Sequence, residues 1–192
     1  MWDPFMSSTM EHVPDAGRKI VFDRFHVMKH VNMAVDSTRR KENRMFLEKG
    51  MDDLKGTRYV WLYSSGNLPE KYRERYEELK KSDLLTGKAY SMKENIRELW
   101  NAPSMDDAMK YWNRWHSWVM HSTIDAMKDA ARMMKLHLEN IMNYFTHRTI
   151  NAKAEGINSK IALIEKMAYG FRNKEHLKTS IYFRCGNLQL YA

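Results

Sequence analysis

The residues best suited to chemistry fall in two stretches. The first is Phe22-Asp23-Arg24-Phe25-His26-Val27-Met28-Lys29-His30. An aspartate at the end of a short apolar run, with a histidine three residues later, is a usual way to set polar groups beside a reaction centre. The same Asp23 is equally able to cap the helix that follows, with His26 packing against it. His26 and His30 have the i, i+4 spacing of helical metal ligands, but no neighbouring Glu completes the zinc-protease pattern. The second stretch runs from Asn143 to Ile161 and holds Arg148, Lys153, Glu155 and Lys160. Glu155 falls early in an amphipathic helix, sharing a face with Asn151 and Asn158 between two lysines. A carboxylate among amides and cations suits a divalent ion next to a phosphate backbone. An acid in the first turn of a helix is also favoured by the helix dipole alone.

Two aromatic groupings add to these. In Ala168-Tyr169-Gly170-Phe171-Arg172-Asn173, Gly170 has the position of a left-handed residue ending a helix. The aromatics and Arg172 beside it suit either stacking on nucleic acid or anchoring a last helix. Trp100, Trp112, Trp115 and Trp118 offer either a base-stacking platform or a core stripe.

The elements that must position these residues are mostly helical. The four prolines, at 4, 14, 69 and 103, leave long stretches free for helices. Residues 18–23, a short apolar run after Pro14-Asp15-Ala16-Gly17, read as a buried strand ending at Asp23. Val27, Val31, Ala34 and Val35 then set a helical period over 27–48, with Arg39, Arg40, Lys41 and Arg44 on a basic polar face. Residues 57–63, Thr-Arg-Tyr-Val-Trp-Leu-Tyr, look like a second extended segment, although so short a run does not separate helix from strand. Further helices are expected from Leu68-Pro69-Glu70 to about 81, over 86–102, after a Ser104 cap, over 123–145, over 151–168 and over 174–184. A lone strand is odd in a complete domain, so the sheet that should accompany residues 18–23 is expected to lie outside this chain.

Composition narrows the partners. The 192 residues carry a formal net charge of +8, which favours a polyanion. Residues 18–49 hold nine Lys and Arg against four Asp and Glu, and residues 147–178 hold seven against three. The single cysteine, Cys185, excludes an internal disulfide and a multi-cysteine zinc site, and suits a reducing cytoplasm. Met1-Trp2-Asp3-Pro4-Phe5 does not read as a signal peptide, and no stretch approaches the roughly 20 apolar residues of a membrane span.

Taken in series, several blocks resemble the ISL-three group of bacterial insertion-sequence transposases, which are of the acidic-triad (DDE) type. They are Lys19 to Val27, Leu54-Lys55-Gly56-Thr57-Arg58-Tyr59, Asn143-Tyr144-Phe145 with His147-Arg148, Ala154 to Ile161, and Ala168 to Asn173. The resemblance implies two-metal phosphoryl transfer on DNA, with Mg²⁺ held by two Asp and one Glu. Glu155 matches the last acid of that triad. Asp23 and His26 match a supporting Asp-x-x-His signature. Arg24, Lys29, Arg148, Lys153, Lys160 and Arg172 are the candidate DNA contacts.

The implied fold is mostly α, an α+β remnant: a truncated RNase H-like catalytic domain with an α-helical insertion. Residues 1–49 are then a remnant of the RNase H-like core, 50–146 a mainly helical insertion region, and 147–192 the C-terminal helices carrying Glu155. In the family pattern the second catalytic Asp directly precedes the segment matched by Met1-Trp2-Asp3-Pro4-Phe5. The expectation is therefore a chain that lacks both catalytic aspartates and is inactive alone. The implied partners are transposon-end DNA and, by homo-oligomerisation or co-assembly, full-length transposase. A non-catalytic DNA-binding or transposase-interacting regulator is the alternative.

Overall fold

The computed structural model describes residues 3–148 and 152–186, with side chains from 6 to 148 and from 156 to 186. The chain divides into two units, residues 1–148 and 149–192. Among the described residues every regular element is helical. This overturns the expected α+β remnant: no RNase H-like sheet is present among them.

The first unit is built around α3 (Arg24–Glu48), the longest helix. Its apolar residues recur at helical spacing, so Val27, Val31, Ala34 and Val35 form one stripe and are all buried. Against α3 pack α6 (Leu85–Arg97), which runs on into one 3₁₀ turn, and α8 (Asp125–Leu136). Between α6 and α8 lies α7 (Met105–Met120), started as expected by Ser104, whose hydroxyl accepts from the Asp107 N–H at 3.1 Å. Trp100, Trp112 and Trp115 are buried, and the Trp115 indole donates to Met92 O at 2.9 Å; Trp118 alone of the four stays exposed. The stripe is thus largely core rather than a stacking platform.

Both expected strands are helix or strap. Residues Ala16–Lys19 form α2, a single turn, and Ile20 to Asp23 continue as an extended strap. The strap needs no sheet, because α9 (Leu138–His147) supplies partners for its backbone. Phe22 N–H donates to Asn140 O at 2.9 Å, and the Asn143 amide donates to Gly17 O at 2.7 Å and Ile20 O at 2.9 Å. His147 Nε2 lies 2.7 Å from Arg18 O. The expectation of an uncovered strand at 18–23 therefore loses its basis.

Residues Arg58–Leu62 form a short helix, α4, that buries Val60 and Trp61. Its last carbonyls are taken by Lys93, whose ammonium donates to Trp61 O, Leu62 O and Tyr63 O at 2.7, 3.1 and 2.8 Å. Helix α5 (Glu70–Lys80) follows Pro69 as expected. The helix expected over 123–145 is two, broken at His137 between α8 and α9. One helix was not foreseen: α1 (Asp3–His12).

The second unit pairs α10 (Ala152–Met167) with α11 (Lys174–Cys185). Gly170 stands at φ 96° and its N–H returns to Glu165 O at 3.0 Å, which closes α10 in the way its position suggested. Asn173 caps α11 through the Glu175 N–H.

Candidate nucleic-acid interface and catalytic carboxylate

The strap delivers Asp23 to the start of α3, where its carboxylate accepts from the Phe25 N–H. The capping reading thus accounts for the contact it makes. His26, one turn in, is exposed, its ring edge-on to Phe25 at 5.6 Å. His30 is half-buried on the next turn. Its pKa is pushed below the ordinary histidine value, foremost by burial, with the positive charges of Lys29, His26 and His137 acting in the same direction. Among the described residues no group of three or more His, Cys, Asp or Glu is placed to hold a metal, so the His26 and His30 pair gains no further ligands there.

The candidate DNA contacts lie in different places. Arg24 is exposed, its guanidinium 5.5 Å above the Trp100 ring. Lys29 is exposed and lines a groove along α3. Arg148 ends α9 in the left-handed region at φ 47°, donates to Pro103 O at 2.9 Å, and lies over the Phe145 and Tyr144 rings. It fastens the end of α9 as well as presenting charge. Lys160 and Arg172 are exposed in the second unit. Glu155 and Lys153 lie in the first turns of α10, and their side chains fall outside the described residues. The structure therefore brings Asp23, His26 and Lys29 to one end of α3, and joins the Asn143 to Arg148 block to the strap before them.

The basic face expected on α3 is sorted by its surroundings. Arg39 is buried, with its Nε and Nη2 donating to Asp36 Oδ1 at 2.9 and 2.8 Å. Arg40 reaches the other oxygen of Asp36 at 3.4 Å, and Arg58 approaches the same oxygen at 3.9 Å from α4. Lys41 faces Asp125 at 3.8 Å. Three guanidinium groups thus surround one carboxylate, which compensates only part of their charge. Sequence reasoning saw Arg39 and Arg40 but not the focus at Asp36, because Arg58 comes from another helix.

Comparison with known proteins decides the family. A transposase family model, of the DDE type and the ISL-three (ISL3) group, matches residues 1–181. The chain belongs to this transposase family. It is 28% identical to the transposase for insertion sequence element IS1001 of Bordetella parapertussis over 168 residues, 86% of this chain and 41% of that one. It is 27% identical to the transposase for insertion sequence element IS1557 of Mycobacterium tuberculosis (strain CDC 1551 / Oshkosh) over 124 residues, 65% of this chain and 28% of that one. The chain thus spans less than half the length of these curated relatives. No solved structure matches it.

For the family as a whole, DNA and a divalent metal are implied. Among the described residues, which do not include the Glu155 side chain, no cluster of three His, Cys, Asp or Glu is found. No step of phosphoryl transfer follows from them. Nor is any helix among the described residues long and apolar enough to cross a membrane.

Proposed function

We propose that this chain is the Glu155-bearing part of an insertion-sequence transposase, acting in DNA recombination and binding DNA without cutting it alone. The observation that carries this is the family match across residues 1–181, a span that contains the Ala154-Glu155-Gly156 block. In this reading Glu155 is the last acid of the catalytic triad, and Asp23 and His26 support the site. Residues 1–49 and 147–192 flank a helical insertion at 50–146. Glu155 alone does not hold the two Mg²⁺ ions of the family reaction. The place of action is the cytoplasm, at the nucleoid when DNA is bound.

The second reading is a non-catalytic DNA-binding or transposase-interacting regulator.

The test is incubation of the purified chain with Mg²⁺ or Mn²⁺ and supercoiled plasmid carrying the parent element's ends. No nicking above a Glu155→Ala control is expected. Nicking that disappears with Glu155→Ala would show a complete site in this chain. Inhibition of full-length transposase by added chain would favour the regulatory reading.

A further inference from the structure

The apolar stripe of α3 faces the core, and a different stripe of the same helix faces an open groove. Phe25, Lys29, Met33, Asp36 and Arg40 recur at i, i+4, i+8, i+11 and i+15, and all line this groove of about 980 Å³. Its other wall is supplied by Arg58 of α4 and Arg97 of α6. Five basic side chains, Lys29, Arg39, Arg40, Arg58 and Arg97, therefore meet there with one carboxylate, Asp36. Outside the lining, Glu94 offsets part of Arg97 from 3.9 Å. The groove keeps a clear positive excess.

Two features separate it from an ordinary solvated charge run. First, the charges are organised. Asp36 is largely buried and hydrogen-bonds Arg39, with Arg40 and Arg58 within 4 Å of its other oxygen, so three guanidinium groups gather on this side of the groove. Fixed guanidinium groups in a concave surface focus positive potential and match phosphate oxygens in their donor geometry. Second, exposed apolar surface lies among the cations: Phe25 is 68% and Met33 59% exposed. A partner that alternates anionic and apolar groups along its length satisfies both. From Lys29 to Arg40 the helix rises by roughly 16 Å. Measured along the duplex axis, that corresponds to about five base-pair steps at ~3.4 Å per step.

We propose that this groove tracks the sugar-phosphate backbone of duplex DNA, with Lys29, Arg40, Arg58 and Arg97 on phosphates and Asp36 as the positioning residue that gathers the arginines. This rests on the reading of the chain as a DNA-binding transposase part and names the surface that does the binding. None of these contacts reads a base, so the groove serves affinity and orientation rather than sequence choice.

The experiment is fluorescence anisotropy of a labelled duplex of about 30 base pairs and arbitrary sequence, titrated with the whole chain at several salt concentrations. Arg40→Glu with Arg58→Glu is compared with Lys71→Glu with Lys80→Glu, an equal charge change on exposed residues of α5. The milder pair Arg40→Gln with Arg58→Gln guards against misfolding, and circular dichroism checks each variant. The groove variants are expected to weaken binding at least tenfold near ~100 mM salt. The neutral pair should lower the slope of log K against log salt by about 2. The α5 control is expected to change affinity less than threefold. Equal losses in both pairs, or unchanged binding by a folded groove variant, would overturn the groove assignment while leaving DNA binding intact. No binding by the unmodified chain at ~50 mM salt would instead overturn the DNA-binding reading itself, and the groove with it.

Discussion

Helix α6 begins without a local cap, and its start is held from 43 residues away. Leu84 stands at its N-cap position and offers no side-chain acceptor. Glu42, buried on α3, takes that place: Oε1 accepts from the Leu85 N–H at 2.7 Å, and Oε2 accepts from the Thr86 N–H at 2.8 Å and the Thr86 hydroxyl at 2.6 Å. The carboxylate satisfies two of the N–H groups that open the helix and lies at the positive end of its dipole. Truncation to Glu42→Ala removes the acceptor from the buried Thr86 N–H and the part-buried Leu85 N–H.

Hydrogen bonds to a charged group contribute about 1.5–3 kcal/mol each, and an orphaned buried group costs about 1–3 kcal/mol. The three bonds share one carboxylate, and its own desolvation offsets part of the gain, so they do not add. Glu42→Ala is expected to cost about 3–5 kcal/mol. Glu42→Gln keeps one acceptor oxygen but turns an amide N–H₂ towards a donor, and should cost about 2–3 kcal/mol. Urea denaturation, followed by far-ultraviolet circular dichroism and tryptophan fluorescence, measures both. A double-mutant cycle of Glu42→Gln with Thr86→Val should show coupling of about 1–2 kcal/mol. A loss below about 1 kcal/mol for Glu42→Ala, with unchanged denaturant dependence, would mean that water replaces the carboxylate. The buried-cap reasoning would then be wrong.

Two further predictions follow from the same kind of contact. Asn143→Ala removes both amide bonds to the strap and should cost about 2–3 kcal/mol, with faster amide exchange over residues 16–23 than over α6 and α7; exchange that stays uniform would show that the strap does not depend on Asn143. Lys93 is fully buried, and burial lowers its pKa from 10.5 to about 8, with Glu94 opposing the shift. The sign is that of a depressed base. Below pH 8 both states hold the proton and the burial cost is present in full; between about 8 and 10.5 the unfolded chain keeps the proton and the folded chain releases it, so stability rises with pH. The wild type should gain up to about 3 kcal/mol across that window relative to Lys93→Met, measured by urea denaturation at each pH, and parallel curves would refute it.

What was legible in the sequence follows from range. The stripe Val27, Val31, Ala34, Val35 and the Ser104 cap depend on neighbours within one or two turns, and both are found where the pattern put them. Residues 18–23 were misread because an apolar run of that length looks alike as strand and as docked strap. Its deciding partner, Asn143, lies 123 residues from Ile20. Residues 57–63 looked extended with helix and strand left open, and the helix over Arg58–Leu62 decides between them. Their β-preferring side chains fit a short helix that buries Val60 and Trp61 once Lys93, 30 residues beyond Tyr63, takes the open carbonyls. The α3 groove was invisible because Arg58 and Arg97 enter it from other helices.

These long-range partners also bear on what the family blocks signify. Lys19 to Val27 and Asn143 to Arg148 looked like two separate functional motifs, one offering an aspartate and a histidine, the other a basic approach to Glu155. In the fold they are two sides of one joint. Asn140 O and Asn143 hold the strap, His147 lies against Arg18 O, and Arg148 pins the end of α9 to Pro103. Two of the five blocks that carry the resemblance thus contain residues that fix how α9 meets the start of α3. That joint sets where Asp23, His26 and Lys29 stand. A substitution at Asn143 is therefore expected to displace the head of α3 and, on the proposed DNA-binding reading, to weaken duplex binding in the anisotropy titration, whereas Glu155→Ala should leave that titration unchanged.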